Sequence, residues 1–432
     1  MWLFSVPATA ALPGGSPGYP YGDTLLRSDD LPLDSPLPVL AETPAVAAAG
    51  DADYVARVEA LESVEGAYGA SLSETLSDLA RHHEARGEHG QALSLYRRAL
   101  HLLRVNQGLN SEQQVPLVRA ELGLYQKLGD LDALDDRYEY YFRLLGAGKP
   151  PLTDLRVRAT LSYLRWQREA LRQGMAAGAQ KRMLNALSLN ETLLELVRQS
   201  RSQASLAEDA SAEHDRWLLD ATLSQVNNLY VLQEFFPPQE QDDWLIEAGS
   251  GAAAMQQPSF EEYITLRVQR LRRGAMNLGA TLLEQSMAEL GSGASAMQRA
   301  QLALALGDWY QWYGLRAYAA NHYRLARELL LSAGATGTLR EAFGEPVELP
   351  ATGVFRRYHT PDPQAQSALR LRFDVSATGR SSNIEVVAAP EGAERAASSA
   401  ARALRAVRFR PRWLNGEAEA MSGLERSYHR LR

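Results

Sequence analysis

The sequence predicts an α+β multidomain protein, an α-helical repeat array followed by a small carboxy-terminal domain of ββαβ order. Three observations carry this. From Asp51 to about Gly344 apolar residues recur three and four positions apart, the spacing of one helix face. Within that span one set of small, aromatic and glycine positions occurs three times at the same offsets. After Pro346 and Pro350 the period shortens to two, as in a half-buried strand.

The 432 residues, 45% hydrophobic and 22% charged, suit two or three folded domains. The formal charge of -7 hides an asymmetry. Residues 351–432 carry 14 Arg against 8 Asp or Glu, about +6, which leaves about -13 for the rest, so the two parts should attract different partners. Cysteine is absent, which excludes disulfides, thiolate metal sites and thiol nucleophiles. No apolar run reaches the roughly 18 residues a spanning helix needs, so no transmembrane segment is expected.

Residues 1–10 read as a truncated signal peptide: Trp2-Leu3-Phe4-Ser5-Val6-Pro7 resembles the end of an apolar h-region, and Ala8-Thr9-Ala10 an A-x-A cleavage site. The alternative is a short apolar terminus. From residue 11 to about 50 prolines recur at 13, 17, 20, 32, 36, 38 and 44. Without apolar periodicity this stretch should remain a disordered Pro/Gly/Ala-rich linker.

The repeat set starts at Leu76 with Leu79, Ala80, His83, Gly87, Ala92, Tyr96 and Ala99. From Val118 it gives Glu121, Leu122, Tyr125, Gly129, Leu134, Tyr138 and Tyr141; from Ala303 it gives Leu306, Gly307, Tyr310, Gly314, Ala319, Tyr323 and Ala326. Small residues let two antiparallel helices approach, glycine ends the first helix, and aromatics fill the space between hairpins. The pattern resembles the tetratricopeptide repeat. The first two copies lie 42 residues apart, like the longer repeats of kinesin light chain-like arrays, with Asn106–Gln114 as the extended turn. Further helix pairs are expected at about 154–199, 213–236 and 259–290 as degenerate repeats or a helical insertion, with the long loop running from Pro237-Pro238 to Pro258. The helical domain spans 51–345.

In residues 351–432, Leu369, Leu371, Phe373 and Val375 alternate with Arg370, Arg372, Asp374 and Ser376. Thr378-Gly379 turns this strand into a partner over 383–387. An alanine-rich helix over 392–407 presents Ala393, Ala397, Ala400, Leu404 and Val407 on one face. Arg408-Phe409-Arg410-Pro411 leaves it, Asn415-Gly416 turns, and a last strand runs from about Ala418 to Leu431.

This order resembles the carboxy-terminal domain of TonB, most specifically in the helix exit R-F-R-P followed by N-G. The resemblance covers about 80 residues. It implies a periplasmic domain that binds outer-membrane transporter peptides by adding a strand beside its last strand. The edge would run through Met421, Leu424, Arg426 and Tyr428. The chain as read shows neither the membrane helix nor the long proline-rich span of TonB proteins, and the proline and tyrosine that usually precede the first strand are displaced or absent around Arg357-Tyr358-His359. The resemblance therefore implies docking without energy transduction.

No residue pattern calls for catalysis, a cofactor or a metal. His82, His83, Glu84 and His89 lack the i, i+4 histidine pair of a helical zinc site, because position 87 is glycine. Gly249-Ser250-Gly251 and Gly291-Ser292-Gly293 follow no strand and read as loops. Arg402, Arg405, Arg408, Arg410 and Arg412 with Phe409 and Trp413 outline an aromatic-studded basic patch, read as a solvated helix face and strand exit without nucleic-acid binding. On the first helix of each hairpin, Arg81, Arg119, Gln126, Lys127, Asp308, Gln311 and Trp312 are candidate protein contacts in a concave groove, solvated surface being the ordinary alternative. The leading reading is a non-enzymatic periplasmic scaffold or adaptor. Its repeats bind one partner, and its terminal domain docks another by strand addition, with a link to outer-membrane transport. The alternative is a cytoplasmic tetratricopeptide scaffold or regulator whose terminal domain is structural only.

Overall fold

The computed structural model describes residues 25–27, 51–175, 178–203, 208–236, 259–290, 294–351, 368–389, 392 and 394–430. Residues 1–10, most of the expected linker, the Pro237–Pro258 loop, both Gly-Ser-Gly segments and Arg357-Tyr358-His359 lie outside them. The chain divides into two compact units, Leu33–Trp166 on one side and Met1–Pro32 with Gln167–Arg432 on the other. No described helix is long and apolar enough to cross a membrane.

In the unit Leu33–Trp166, α1 (Asp51–Glu65), α2 (Leu72–Ala85), α3 (His89–Gln107), α4 (Val115–Leu128) and α5 (Leu131–Leu144) precede the start of α6 (Asp154–Arg172). The repeat offsets fall where hairpins need them. Gly87 and Gly129 take left-handed backbone with φ of 77° and 70°. Each glycine N–H returns to the carbonyl three residues back, and the next N–H to the carbonyl five back, a Schellman closure that satisfies the helix-end carbonyls. Ala80, Ala92 and Ala99 are fully buried where α2 meets α3. The extended turn is also built: Gln114, buried, donates to the carbonyls of Gly108 and Leu109. A polar group without those acceptors would oppose burial.

The second unit holds the rest of α6, then α7 (Ala179–Gln203), α8 (Glu208–Phe235), α9 (Phe260–Glu289), α10 (Ala296–Trp312), α11 (Arg316–Ser332) and α12 (Thr336–Phe343). Between the second and third copies the helices are long, 25 residues in α7, 28 in α8 and 30 in α9. Their packing is partly polar: Arg168 donates to Asn228 Oδ1 at 2.7 Å, Asn190 to the Ala221 carbonyl at 2.9 Å, and Thr222 meets Ser286 at 2.7 Å. Such hydrogen-bonded polar positions replace the small-and-aromatic repeat set, which is why the offsets do not fit there. The third copy restores it. Gly314 (φ 78°) closes α10 with the same Schellman pair, and Ala319, Tyr323 and Ala326 are buried on α11.

Gly307 is fixed by packing, since a Cβ there would lie 2.6 Å from the Tyr323 ring. Gly307→Ala is therefore expected to destabilise by about 2 kcal/mol, within the range for overpacking. Gly337→Ala on α12, where a Cβ meets nothing within 4 Å, should be neutral or stabilising by a few tenths to about 1 kcal/mol through helix propensity. Thermal unfolding of the two variants checks the opposite signs.

The terminal part is a small sheet region. β1 is Leu25–Arg27, β2 Val347–Glu348, β3 Ala368–Val375 and β4 Ser381–Ala388; α13 (Glu394–Ala406) follows, then β5 (Phe409–Arg410), β6 (Arg412–Leu414), β7 (Glu417–Glu419) and β8 (Met421–Arg430). The main sheet has the order β1-β8-β3-β4, all antiparallel. As the period of two predicts, Leu369, Leu371, Phe373 and Val375 are buried, and they pack with Ala397, Ala400, Leu404, Val407, Phe409, Leu424 and Tyr428 into one core. Burying each Leu, Val or Phe side chain of this core contributes about 1.5–3 kcal/mol. Asn415 and Gly416, both at positive φ, make the tight turn of the β6–β7 hairpin.

Two differences from the sequence reading have physical causes. The final strand is split: β7 folds back on β6, and β8 starts at Met421. Inside β8 the pairing slips between Phe373–Leu424 and Val375–Met421, a bulge at Ser422-Gly423 with Gly423 at φ 69°. Asp374 braces it, accepting from the Gly423 N–H at 2.8 Å and from Asn383 at 2.7 Å; the Asn383 and Gly423 bonds hold the Asp374 carboxyl below its ordinary range. The second difference is β1. It comes from the stretch expected to be a linker and pairs with the end of β8.

Candidate docking surfaces

The terminal sheet is joined to the last helices through buried polar contacts. Arg410, on β5, is buried and reaches Asp308 on α10 through two bonds, Nε to Oδ1 at 2.9 Å and Nη2 to Oδ2 at 2.8 Å. Its Nη1 donates to the Ala342 carbonyl at 2.8 Å, and the Tyr323 hydroxyl donates to Asp308 at 3.0 Å. Burial by itself would lower the Arg410 pKa, but the Asp308 carboxylate and the bonds to it more than reverse this and keep the guanidinium charged. Gln311 donates through one amide nitrogen to the carbonyls of Thr378 and Phe409, at 3.0 and 2.9 Å. Trp413 sits edge-on to Tyr323 and Phe343. Leu349 adds a backbone bond to Arg408 at 2.9 Å beside the β2–β5 pair.

These contacts correct the predicted groove. Asp308 and Gln311 are buried, 6% and 4% exposed, and hold the chain's own terminal sheet instead of facing a partner. Trp312 is half-buried, edge-on to Tyr230 with ring centroids 5.4 Å apart. In the unit Leu33–Trp166 the other candidates remain reachable. Lys127 is exposed and pairs with Glu84 at 2.8 Å; half-buried Arg81 pairs with Asp78 one turn before Glu84. This places candidate residues of α2 and α4 in one charged cluster. Arg119 donates to the Tyr141 hydroxyl at 2.8 Å, and Gln126 is half-buried.

On β8 the side chains expected to read a peptide point inward. Leu424 and Tyr428 belong to the core. Arg426 is buried, donates to the Pro346 carbonyl at 2.5 Å, and lies 3.8 Å from Glu348. The Tyr428 hydroxyl donates to Glu348 at 2.9 Å. Met421 is partly buried against the same core. The alternation of a strand explains this: once Leu424 enters the core, Arg426 and Tyr428 share its face. Glu425 takes the opposite face, exposed and bonded to Arg372 at 2.5–2.8 Å.

The aromatic-studded basic patch also disperses. Phe409 and Trp413 are buried, Arg410 is buried on Asp308, and Arg412 pairs with Glu419 at 2.6 Å. His83 meets Glu88 at 2.5 Å.

Among the described residues, burial within helix packing raises the pKa of two carboxyls. Glu121 is fully buried, and desolvation raises its pKa against Arg137, 3.0 Å away, Arg97 and Arg104. Burial likewise lifts Glu234 to about 7, opposed by Arg272. The folded chain thus retains a proton on Glu234 that the unfolded chain releases above about pH 4.5, so stability falls as pH rises from about 4.5 to 7. Glu234→Gln should remove a loss on the order of 2–3 kcal/mol across that window. Urea unfolding at pH 5 and pH 8 measures it.

The fold and these surfaces define a mostly helical, repeat-like chain carrying a small carboxy-terminal strand region. Compared with known proteins, the sequence matches no family model and no curated protein.

Proposed function

We propose that this chain is a non-enzymatic periplasmic scaffold in which tetratricopeptide-like hairpins bind one protein and a TonB-like terminal sheet docks a second by strand addition, with a link to outer-membrane transport. The observation that carries the reading is the position of β8. It follows the hairpin and helix in ββαβ order, pairs with β3 on one side, and has its other side paired over only three residues, Tyr428–Arg430, among the described residues. A strand edge of this kind offers backbone donors and acceptors to an extended segment. With Leu424, Arg426 and Tyr428 turned inward, affinity would come from the backbone ladder and selectivity from the Glu425 face. The charged cluster of Arg81, Glu84 and Lys127 supports a protein contact on the hairpins.

A second reading is favoured by the Asp308–Arg410 and Gln311 contacts: a cytoplasmic scaffold or regulator whose sheet is structural only. Two tests separate them. Fractionation of the native host places the chain in the periplasm on the first reading, and recovery only from the cytosol sinks it. A photoreactive residue at Glu425 should give a discrete protein adduct in the same cells.

A further inference from the structure

The pairing of β1 concerns regulation of the edge just described, and it rests on that docking reading. Leu25 lies opposite Arg430, Leu26 opposite His429 and Arg27 opposite Tyr428. On its other side β8 is paired with β3 from Met421 to His429. The outer side of β8 is therefore occupied at one end by a strand of this same chain. Among the described residues no strand pairs that side over Met421–Ser427, and the bulge at Ser422-Gly423 leaves Leu424–Ser427 as its regular stretch.

We infer that Leu25–Arg27 is an in-chain occupant of the docking edge, a short cis strand that an extended partner peptide must displace. Its sequence fits this role. Leu25-Leu26-Arg27 is a brief apolar and basic run between Asp23-Thr24 and Ser28-Asp29-Asp30, inside a proline-punctuated segment that cannot form a core of its own. Three residues form only a short ladder, so the strand is weak by itself. Covalent linkage offsets this by making the pairing intramolecular.

A partner segment antiparallel to β8 gains a longer ladder than β1 does. It can pair first with Leu424–Ser427 and then replace β1 over Tyr428–Arg430. Casual, short extended peptides would be excluded by the tethered competitor, while a partner able to span the whole edge would not.

The absence of native cysteine makes the test clean. In full-length protein, Leu26→Cys with His429→Cys places two thiols on directly opposed residues, a geometry a disulfide can bridge. Mild oxidation should give an intrachain disulfide at every protein concentration. A synthetic peptide of residues 20–32 serves as the probe. The Leu25→Pro/Leu26→Pro variant loses a ladder donor whichever of the two residues faces β8, and it should bind the probe at least tenfold more tightly than wild type. The oxidised double-cysteine variant should bind it at least tenfold more weakly than its reduced form.

No disulfide, or one that forms only between molecules, overturns the inference, the second case assigning the edge to another copy. An intrachain disulfide with equal probe binding by the proline variant and wild type overturns the competition and leaves the docking edge standing. An intrachain disulfide with no probe binding by either overturns both.

Discussion

Arg410→Met is expected to destabilise the carboxy-terminal unit by about 3–5 kcal/mol, the cost of removing one member of a buried ion pair and stranding the other. Asp308 is 6% exposed and accepts two bonds from Arg410, and the Tyr323 hydroxyl also donates to it. The substitution also strips the Ala342 carbonyl of its partner. The double variant Asp308→Leu/Arg410→Met should recover most of the loss, because two apolar side chains avoid the desolvation of both charges. Urea unfolding read by hydrogen exchange in α10 and the β5 region measures both. A single-variant loss below about 1 kcal/mol would mean that the pair is solvated and does not hold the sheet to the helices.

Gly379→Ala is the second large effect, expected at about 3 kcal/mol. The residue has φ of 73°, and a Cβ there would lie 2.0 Å from the Phe409 carbonyl oxygen and 2.3 Å from the Gln311 amide nitrogen. A left-handed conformation costs an L-residue roughly 1–2 kcal/mol, and contact with a backbone atom that cannot swing away adds about as much again. The Gly379 carbonyl also accepts from the Phe409 N–H at 3.0 Å, so the turn and the helix exit move together. Gly416→Ala is the control. Its φ is 89° but a Cβ meets nothing within 4 Å, so only the conformational cost applies. Comparable losses in the two variants would show that the close approach at Gly379 is not maintained in solution.

The fold was legible where periodicity is strict. The alternation Leu369–Val375 gave the face that becomes the sheet core, and the recurring glycines marked the same helix closure at Gly87, Gly129 and Gly314. The long helices α7, α8 and α9 were legible as helices but not as a repeat, because buried Asn190, Asn228, Thr222 and Ser286 follow no period a single sequence displays.

The candidate sites were less legible, because helical position indicates which face a residue occupies but not what covers that face. Asp308 and Gln311 have the offsets of groove residues, yet the terminal sheet lies on them. One signal was available. The residues around Asp308 in α10 are apolar or aromatic on nearly every side, from Leu302 to Tyr313, and a helix apolar all round is a buried one. A lone carboxylate within it calls for a buried cation, and Arg410, between Phe409 and Pro411, was such a candidate. On β8 the even-numbered run Leu424, Arg426, Tyr428 forms one set, and one core residue, Leu424, commits all three to the interior. Nothing in the period of so short a segment as Leu25–Arg27 announces a strand, since its pairing is decided by the edge it meets.

The central claim is that the β8 edge docks a second protein. The most direct measurement is photo-crosslinking in the native host from a photoreactive residue at Glu425, with and without the Leu26→Cys/His429→Cys lock. The account predicts a discrete protein adduct at Glu425 that differs from the adduct formed at Gln126, and that weakens strongly when the lock is oxidised. An adduct at Gln126 with none at Glu425 would contradict it, whereas a Glu425 adduct indifferent to the lock would contradict only the displacement of β1.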